Sequence, residues 1–279
     1  MKAKQNITMT AKGIGCAVLL FGALFPIYWL LAMAIRPTDE MSGHISLIPA
    51  SFTPEHFIRL FTEKGFGQAI INSLQTTGVS LVLSLIIGVC AAYIIARRRF
   101  SFGLKKPLTY WVLLVRVLPP VAFTIPLYTM FSRAGILNGK IPVILACVLI
   151  NVPLIIWFLI SFFRELPEEI EESAKVDGAT EWQLYLRIVL PLVAPGIAAV
   201  AMLSFMYAWN EYTYTVIFTR SPANYTVPLA LSVLNTEDNL TNFGLVAAGG
   251  VISVVPIILF VIFAQNYLIS GLSSGAVKE

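Results

Sequence analysis

Six stretches of this chain are apolar for about 20 residues or more, and they decide its solvent. They run approximately from Gly13 to Ile35, Ala69 to Ala96, Leu108 to Phe131, Ile141 to Phe163, Leu192 to Phe218, and Val246 to Ser270. About 30 Å of hydrocarbon crossed at about 1.5 Å per residue takes about 20 residues. No water reaches backbone groups there, so a spanning segment is a helix or part of a closed barrel. Barrel strands alternate apolar and polar residues, and these runs are continuous. The expected fold is therefore all-α: a polytopic membrane protein with six transmembrane helices in one domain over residues 1–279. Composition agrees, because 57% of the residues are apolar and 12% charged, against about 25% charged in a soluble domain. A net charge of +4 is too small for a nucleic-acid footprint.

Lys and Arg in the loops bias orientation. With both termini on one side, that side carries Lys2, Lys4, Lys12, Arg97, Arg98, Arg99, Lys105, Lys106, Arg164, Lys175, Arg187 and Lys278. The other side carries Arg36, Arg59, Lys64, Arg133, Lys140 and Arg220, half as many. Both termini are expected in the cytoplasm. The first span has basic residues before it and the triplet Ala32, Met33, Ala34 at its end, which mimics a cleavage site. Its apolar run of about 19 residues to Leu31 exceeds a signal-peptide core of about 7–15, so an uncleaved anchor is expected.

Residues for chemistry are sparse. Cys16, Cys90 and Cys147 lie far apart in apolar runs and read as small buried hydrophobes. His44 and His56 share one polar loop without further ligands, so no metal site is expected. There is no phosphate-cradling G-x-x-x-x-G-K-[ST], and no activated nucleophile stands within a span. The chain is not expected to be an enzyme or to bind a cofactor.

Polar residues inside the spans carry more information. Thr76, Ser80, Ser84, Gly88 and Ala92 recur every four residues and form a narrow ridge suited to close helix packing. Arg116 and Glu211 are charges at membrane depth, each costing about 2.5–3.5 kcal/mol on insertion scales. Three arrangements are open: a mutual pair, a lining of the transport path, or contact with a companion subunit. Pro119 and Pro120 should kink the third span beside Arg116, because neither donates an amide and both crowd carbonyls four residues back. Ser204, Ala208, Glu211 and Thr215 share one face of the fifth span. With Asn210 and Tyr212, that face is expected to line a pathway.

One hydrophilic segment, about 164–190, is too structured in pattern to be a plain loop. Pro167 suits a helix start, Glu168 and Glu169 favour its positive end, and Gly178 suits a left-handed stop. The pattern predicts a helix over about Pro167 to Asp177. Thr180 and Gln183 have capping-box spacing, which predicts a second helix running through Tyr185 and Ile188 to Pro191. The two would form an elbow joined directly to the fifth span. A passive helix lying on lipid headgroups is the other reading of such a segment.

The run Glu172, Ser173, Ala174, then Asp177, Gly178, Ala179, and later Ile188, Leu190 and Pro191 resembles the EAA loop of inner-membrane permease subunits in binding-protein-dependent ABC importers. Ser173 replaces the usual first Ala. The resemblance covers essentially the whole chain and is nearest the carbohydrate-uptake branch, the type of the maltose importer's G subunit. Its other supports are Pro26 to Glu40 with Arg36-Pro37, Asn72-Ser73, Ala96 to Phe102, Arg116 with Pro119-Pro120 and Pro126-Leu127-Tyr128. Trp209-Asn210-Glu211-Tyr212 and the tail from Gly271-Leu272 to Gly275-Ala276-Val277-Lys278 complete it.

The resemblance implies a type I ABC importer permease fold and half of a translocation pathway for a sugar or sugar derivative. It implies a second homologous permease, two ATPase subunits that use ATP and Mg, and an extracytoplasmic substrate-binding protein. The Glu172 position would pair with the ATPase and Gly178 would provide the turn. Small side chains at Ser173 and Ala174 would let the partner approach. The outer stretches from about Arg36 to Gln68 and from Thr219 to Leu245 are long enough for a docking surface. Two other functions remain open from the residues: a secondary transporter using Arg116 and Glu211 for ion or proton coupling, and a membrane scaffold with no transport role.

Overall fold

The computed structural model describes residues 2–41, 45–97, 105–236 and 242–275. Arg98, Arg99, His44 and the tail from Ala276 to Lys278 lie outside the described residues. The chain divides into two compact units, residues 1–67 with 230–255, and residues 68–229 with 256–279.

The described part of the first unit contains α1 (Lys2–Ala34), α2 (Glu55–Thr62), the start of α3 (Phe66–Ala96), most of α11 (Val227–Thr236) and the first half of α12 (Asn242–Gly275). Most of the apolar residues of α1 between Ile14 and Leu31 are exposed in the isolated chain, as a lipid-facing or partner-facing helix requires. The loop after α1 is tied by side chains. Glu40 accepts from the Ala50 amide at 3.1 Å, and from the Ser51 amide and hydroxyl at 3.0 and 2.7 Å. Arg36 is buried and donates to the Ser46 carbonyl at 2.5 Å, while its own carbonyl lies 2.9 Å from Nε2 of His56. His56 is thus a packed helical residue of α2 rather than a loop ligand.

The Ser51 hydroxyl, with the two amides, holds the Glu40 carboxyl below its ordinary value of 4.5. A depressed folded-state pKa means the tie is present above that value and is lost as pH falls through the lower folded value. Hydrogen exchange at the Ala50 and Ser51 amides is therefore expected to rise as acidification protonates Glu40, below the ordinary value of 4.5, beyond the intrinsic pH effect. Glu40→Gln should abolish this extra pH dependence. An unchanged profile in that variant would contradict the assignment.

The described part of the second unit contains the rest of α3 and α12, followed in chain order by α4 (Lys105–Val117), α5 (Thr124–Arg133), α6 (Lys140–Glu165), α7 (Glu168–Val176), α8 (Glu181–Gln183), α9 (Leu190–Trp209) and α10 (Thr213–Phe218). Helix α6 is its buried centre, contributing Leu154, Ile155, Ile156, Leu159, Ile160 and Phe163 to a core shared with α3, α4, α7 and α9. A second core joins Phe131 of α5 and Cys147 of α6 to Tyr214 and Phe218 of α10. The small-residue ridge of α3 is buried throughout, as expected. At Gly88 the approach is so close that an added Cβ would stand 2.6 Å from Cγ2 of Ile155. Of the cysteines, Cys147 is buried and Cys90 half-buried, but Cys16 is exposed on α1, so only the first two pack as small hydrophobes within the chain.

Two spans differ from their expected form. Five described helices are individually long and apolar enough to cross a membrane, and a sixth span requires counting a bent pair as one. That pair is the third span, which folds through 102° between Pro107–Val117 and Pro120–Arg133. Two successive prolines remove two helical amides, and the chain leaves the helix instead of kinking within it. The fifth span, expected as one helix over 192–218, stops at Trp209 and restarts at Thr213.

Candidate functional site

The elbow forms where its punctuation predicts. Helix α7 starts after Pro167, with Glu168, Glu169 and Glu171 in its first turn at the positive end of the dipole. It closes with the Ala179 amide on the Ala174 carbonyl at 3.0 Å and the Gly178 amide on the Lys175 carbonyl at 3.1 Å. These bonds require a left-handed residue, and Gly178 has φ +82°. The next turn is capped reciprocally: the Gln183 amide donates to the Thr180 hydroxyl at 3.3 Å, and the Thr180 amide to the Gln183 side chain at 2.9 Å. Lys175 and Glu181 form an ion pair across the bend.

Beyond the cap the chain makes a π-helical turn over Leu184–Val189 before α9 begins. Pro191 explains it: the ring cannot donate to the carbonyl four residues back and would crowd it, and the wider turn accommodates both effects. The elbow thus passes into α9 without a loop. Its inner face is core, with Ala174, Leu184 and Val189 packed into the same cluster as α3 and α6.

The expected coupling residues divide by direction. Glu172, Ser173, Asp177 and Gly178 are exposed; Ala179 and Leu190 are half-buried, and Pro191 is exposed. Ala174 is buried, which corrects its expected place on an outward contact face. Its small side chain lets α7 lie against the elbow's own second limb. A groove of about 410 Å³ opens beside it, lined by Glu169, Ile170, Ser173, Ala174, Asp177 and Ile188. Sequence reasoning passed over Val176, 88% exposed, and Trp182, 66% exposed, which place apolar surface on either side of the bend. No local signal set them apart, because Ile170, Leu184 and Ile188 in the same segment are also large and apolar and are buried or half-buried.

The charges in the spans take another arrangement. Both carboxylate oxygens of Glu211 point into the start of α10, where Oε1 accepts from the Tyr214 amide at 2.7 Å. Oε2 accepts from the Thr215 amide and hydroxyl, each at 3.1 Å. Among the described residues no ion pair joins Glu211 to Arg116, which is exposed. The mutual pair, and the ion-coupling role that needed it, therefore lack their geometry. Glu211 is a helix cap at the break in the fifth span. The Tyr214 hydroxyl donates to the Pro120 carbonyl at 2.9 Å, so this break is bonded to the one in the third span.

The predicted pathway face also divides. Ser204, Ala208, Glu211 and Thr215 are buried, and the Ser204 carbonyl receives the Asn151 side chain of α6 at 3.3 Å. They face the chain's interior, Ser204 and Ala208 on α9 ahead of the break and Thr215 on α10 beyond it. Asn210 and Tyr212, at the break itself, are exposed with Arg116. Asn72 donates to the carbonyls of Ala223 and Tyr225 at 2.8 and 2.9 Å, and the Ser73 hydroxyl accepts from the Val227 amide at 2.8 Å. These bonds hold the connection between α10 and α11 in place.

Residues 84–274 match the family described as "binding-protein-dependent transport system inner membrane component". The chain belongs to that family. Within it, the chain is 33% identical to the trehalose transport system permease protein SugB of Mycobacterium tuberculosis, over 92% of this chain and 93% of the relative. It is 32% identical to the diacetylchitobiose uptake system permease protein DasC of Streptomyces coelicolor, over 95% of each. In fold it is similar to a chain of a bacterial ABC transporter involved in the import of the acidic polysaccharide alginate. There the TM-score is 0.79 at 20% identity, covering 95% of this chain and 97% of the other. This inner-membrane component is a transport subunit, not an enzyme, and its helical architecture is that of type I ABC importer permeases.

Proposed function

We propose that this permease subunit, with a second homologous permease, encloses the pathway of a sugar or sugar derivative, and that two ATPase subunits drive it through the elbow. The ATPases bind and use ATP and Mg; this chain holds neither. A soluble substrate-binding protein delivers the ligand to the extracytoplasmic segments, and both termini lie in the cytoplasm. The observation that carries this reading is the two-sidedness of the elbow. Its outer face offers Glu172, Ser173, Val176 and Asp177 to a partner, while its inner face is continuous with the core of α3, α6 and α9. Force applied outside is delivered inside. Relatives that carry trehalose and diacetylchitobiose in their names support a carbohydrate ligand. Exposed Arg116, Asn210 and Tyr212 supply the donors and acceptors that sugar hydroxyls need.

Ser173→Cys, exposed and small, is the position for a test. In a reconstituted complex it is expected to form a disulfide with a cysteine placed on the ATPase surface that meets the elbow, and locking that bond should stop ATP-dependent uptake. Uptake by this chain alone, driven by an ion gradient and with no ATPase present, would overturn the reading.

A further inference from the structure

Two adjacent carboxylates of α7 point in opposite directions. Glu172 is exposed, whereas Glu171 is buried and lies 2.6 Å, Oε1 to Nε, from Arg97. The side chains of the pair are 6% and 11% exposed. Arg97 stands one residue past the end of α3, its amide still bonded to the Tyr93 carbonyl at 3.1 Å. Its Nη1 also donates to the carbonyl of Leu166, the residue that closes α6, at 3.3 Å. One guanidinium thus holds the ends of α3, α6 and α7.

We propose that Arg97 and Glu171 are positioning residues for coupling: a clasp that makes α3 move with the elbow, so that displacement of α7 reaches the second span as well as the fifth. This rests on the permease reading above. Covalently, the elbow is continuous only with α6 and α9, and α3 has no chain connection to it. The clasp supplies the missing link, and a second contact aligns with it. Tyr93 packs on Tyr185 of the π-helical turn with centroids 5.0 Å apart, and Cys90 Sγ lies 3.3 Å from the Tyr185 hydroxyl. Positions 90, 93 and 97 are spaced three and four apart, so one face of α3 meets both limbs of the elbow.

A buried ion pair is a poor device for stability alone, because apolar side chains of similar volume do as well or better in its place. Its distinctive property is the cost of separating it, because parting the two leaves a buried charge uncompensated. Dispersion contacts let surfaces slide, while a charged pair in a water-poor site resists being pulled out of register. Arginine suits the task because its charge is permanent and its planar fork can serve Glu171 and Leu166 together.

The test uses the assembled complex in proteoliposomes and reads complex abundance, the ratio of binding-protein-stimulated to unstimulated ATPase, and substrate imported per ATP. Arg97→Gln and Glu171→Gln are expected to lower transport per ATP by about 3- to 30-fold, the range of coupling changes at non-contacting sites. The exchange pair Arg97→Glu with Glu171→Arg should restore a large part of it. If the single variants do not accumulate, Arg97→Met with Glu171→Leu replaces the pair by apolar packing: recovered abundance with poor coupling supports the clasp. Recovered abundance with full coupling overturns it, as do single variants that transport within about twofold of wild type. A wild-type complex without ATP-dependent uptake would instead remove the permease reading, so the two failures are distinguishable.

Discussion

A Glu211→Ala variant is expected to lose stability out of proportion to the size of the side chain. Three donors depend on that carboxylate: the Tyr214 amide, the Thr215 amide and the Thr215 hydroxyl. Tyr214 and Thr215 are both fully buried, so water cannot replace the lost acceptor. Each orphaned buried donor costs about 1–3 kcal/mol, and the amides have no alternative partner because α10 begins there. The bond from Tyr214 to Pro120 would loosen with them, linking damage in the fifth span to the bend in the third. The measurement is the thermal midpoint of the purified complex with abundance in the membrane. Glu211→Gln keeps one acceptor oxygen and should fall between wild type and alanine, with uptake retained in proportion to folded complex. A Gln variant that is as stable as wild type yet inactive would return Glu211 to a direct transport role.

The second large effect is steric. At Gly88→Val, the new Cβ would lie 2.6 and 2.8 Å from Cγ2 and Cβ of Ile155, nearer than non-bonded carbons tolerate. Ile155 is fully buried at the centre of the α3, α6 and α9 core, so it has no free rotamer to retreat into. Overpacking of this kind costs about 1–3 kcal/mol, and a β-branched residue leaves little room to adjust. Gly78→Val on the same helix is the control, because nothing lies within 4 Å of its new Cβ. Gly88→Val is expected to reduce the amount of complex in the membrane, Gly78→Val to leave it near wild type, and Ile155→Ala to restore part of the loss in the double variant. Equal behaviour of the two glycine variants would show that α3 and α6 are not in close contact.

The elbow was legible because helix punctuation is local. Pro167, Gly178 and the pair Thr180 and Gln183 act over three or four residues, and each does in the structure what its chemistry predicts. The direction of Ala174 was not legible, since a small residue in an amphipathic helix serves equally well against a partner or against its own fold. Glu211 failed as a reading for a related reason. Helical spacing across 204–215 presumes one unbroken helix, and the turn at Asn210–Tyr212 carries no proline or glycine to announce it. Once the helix stops, the carboxylate finds the amides of the next one.

By itself the sequence determined the solvent, the class of fold and the place of the coupling elbow, because apolar run length, charge density and capping chemistry act within a segment. Only the tertiary structure decided which of two neighbouring glutamates faces inward, that Arg97 reaches α7, and that Glu211 serves α10 and not Arg116. Those pairings join residues distant along the chain or divided by an unannounced break. Their geometry is set by how α3, α6 and α9 pack, which no local pattern encodes.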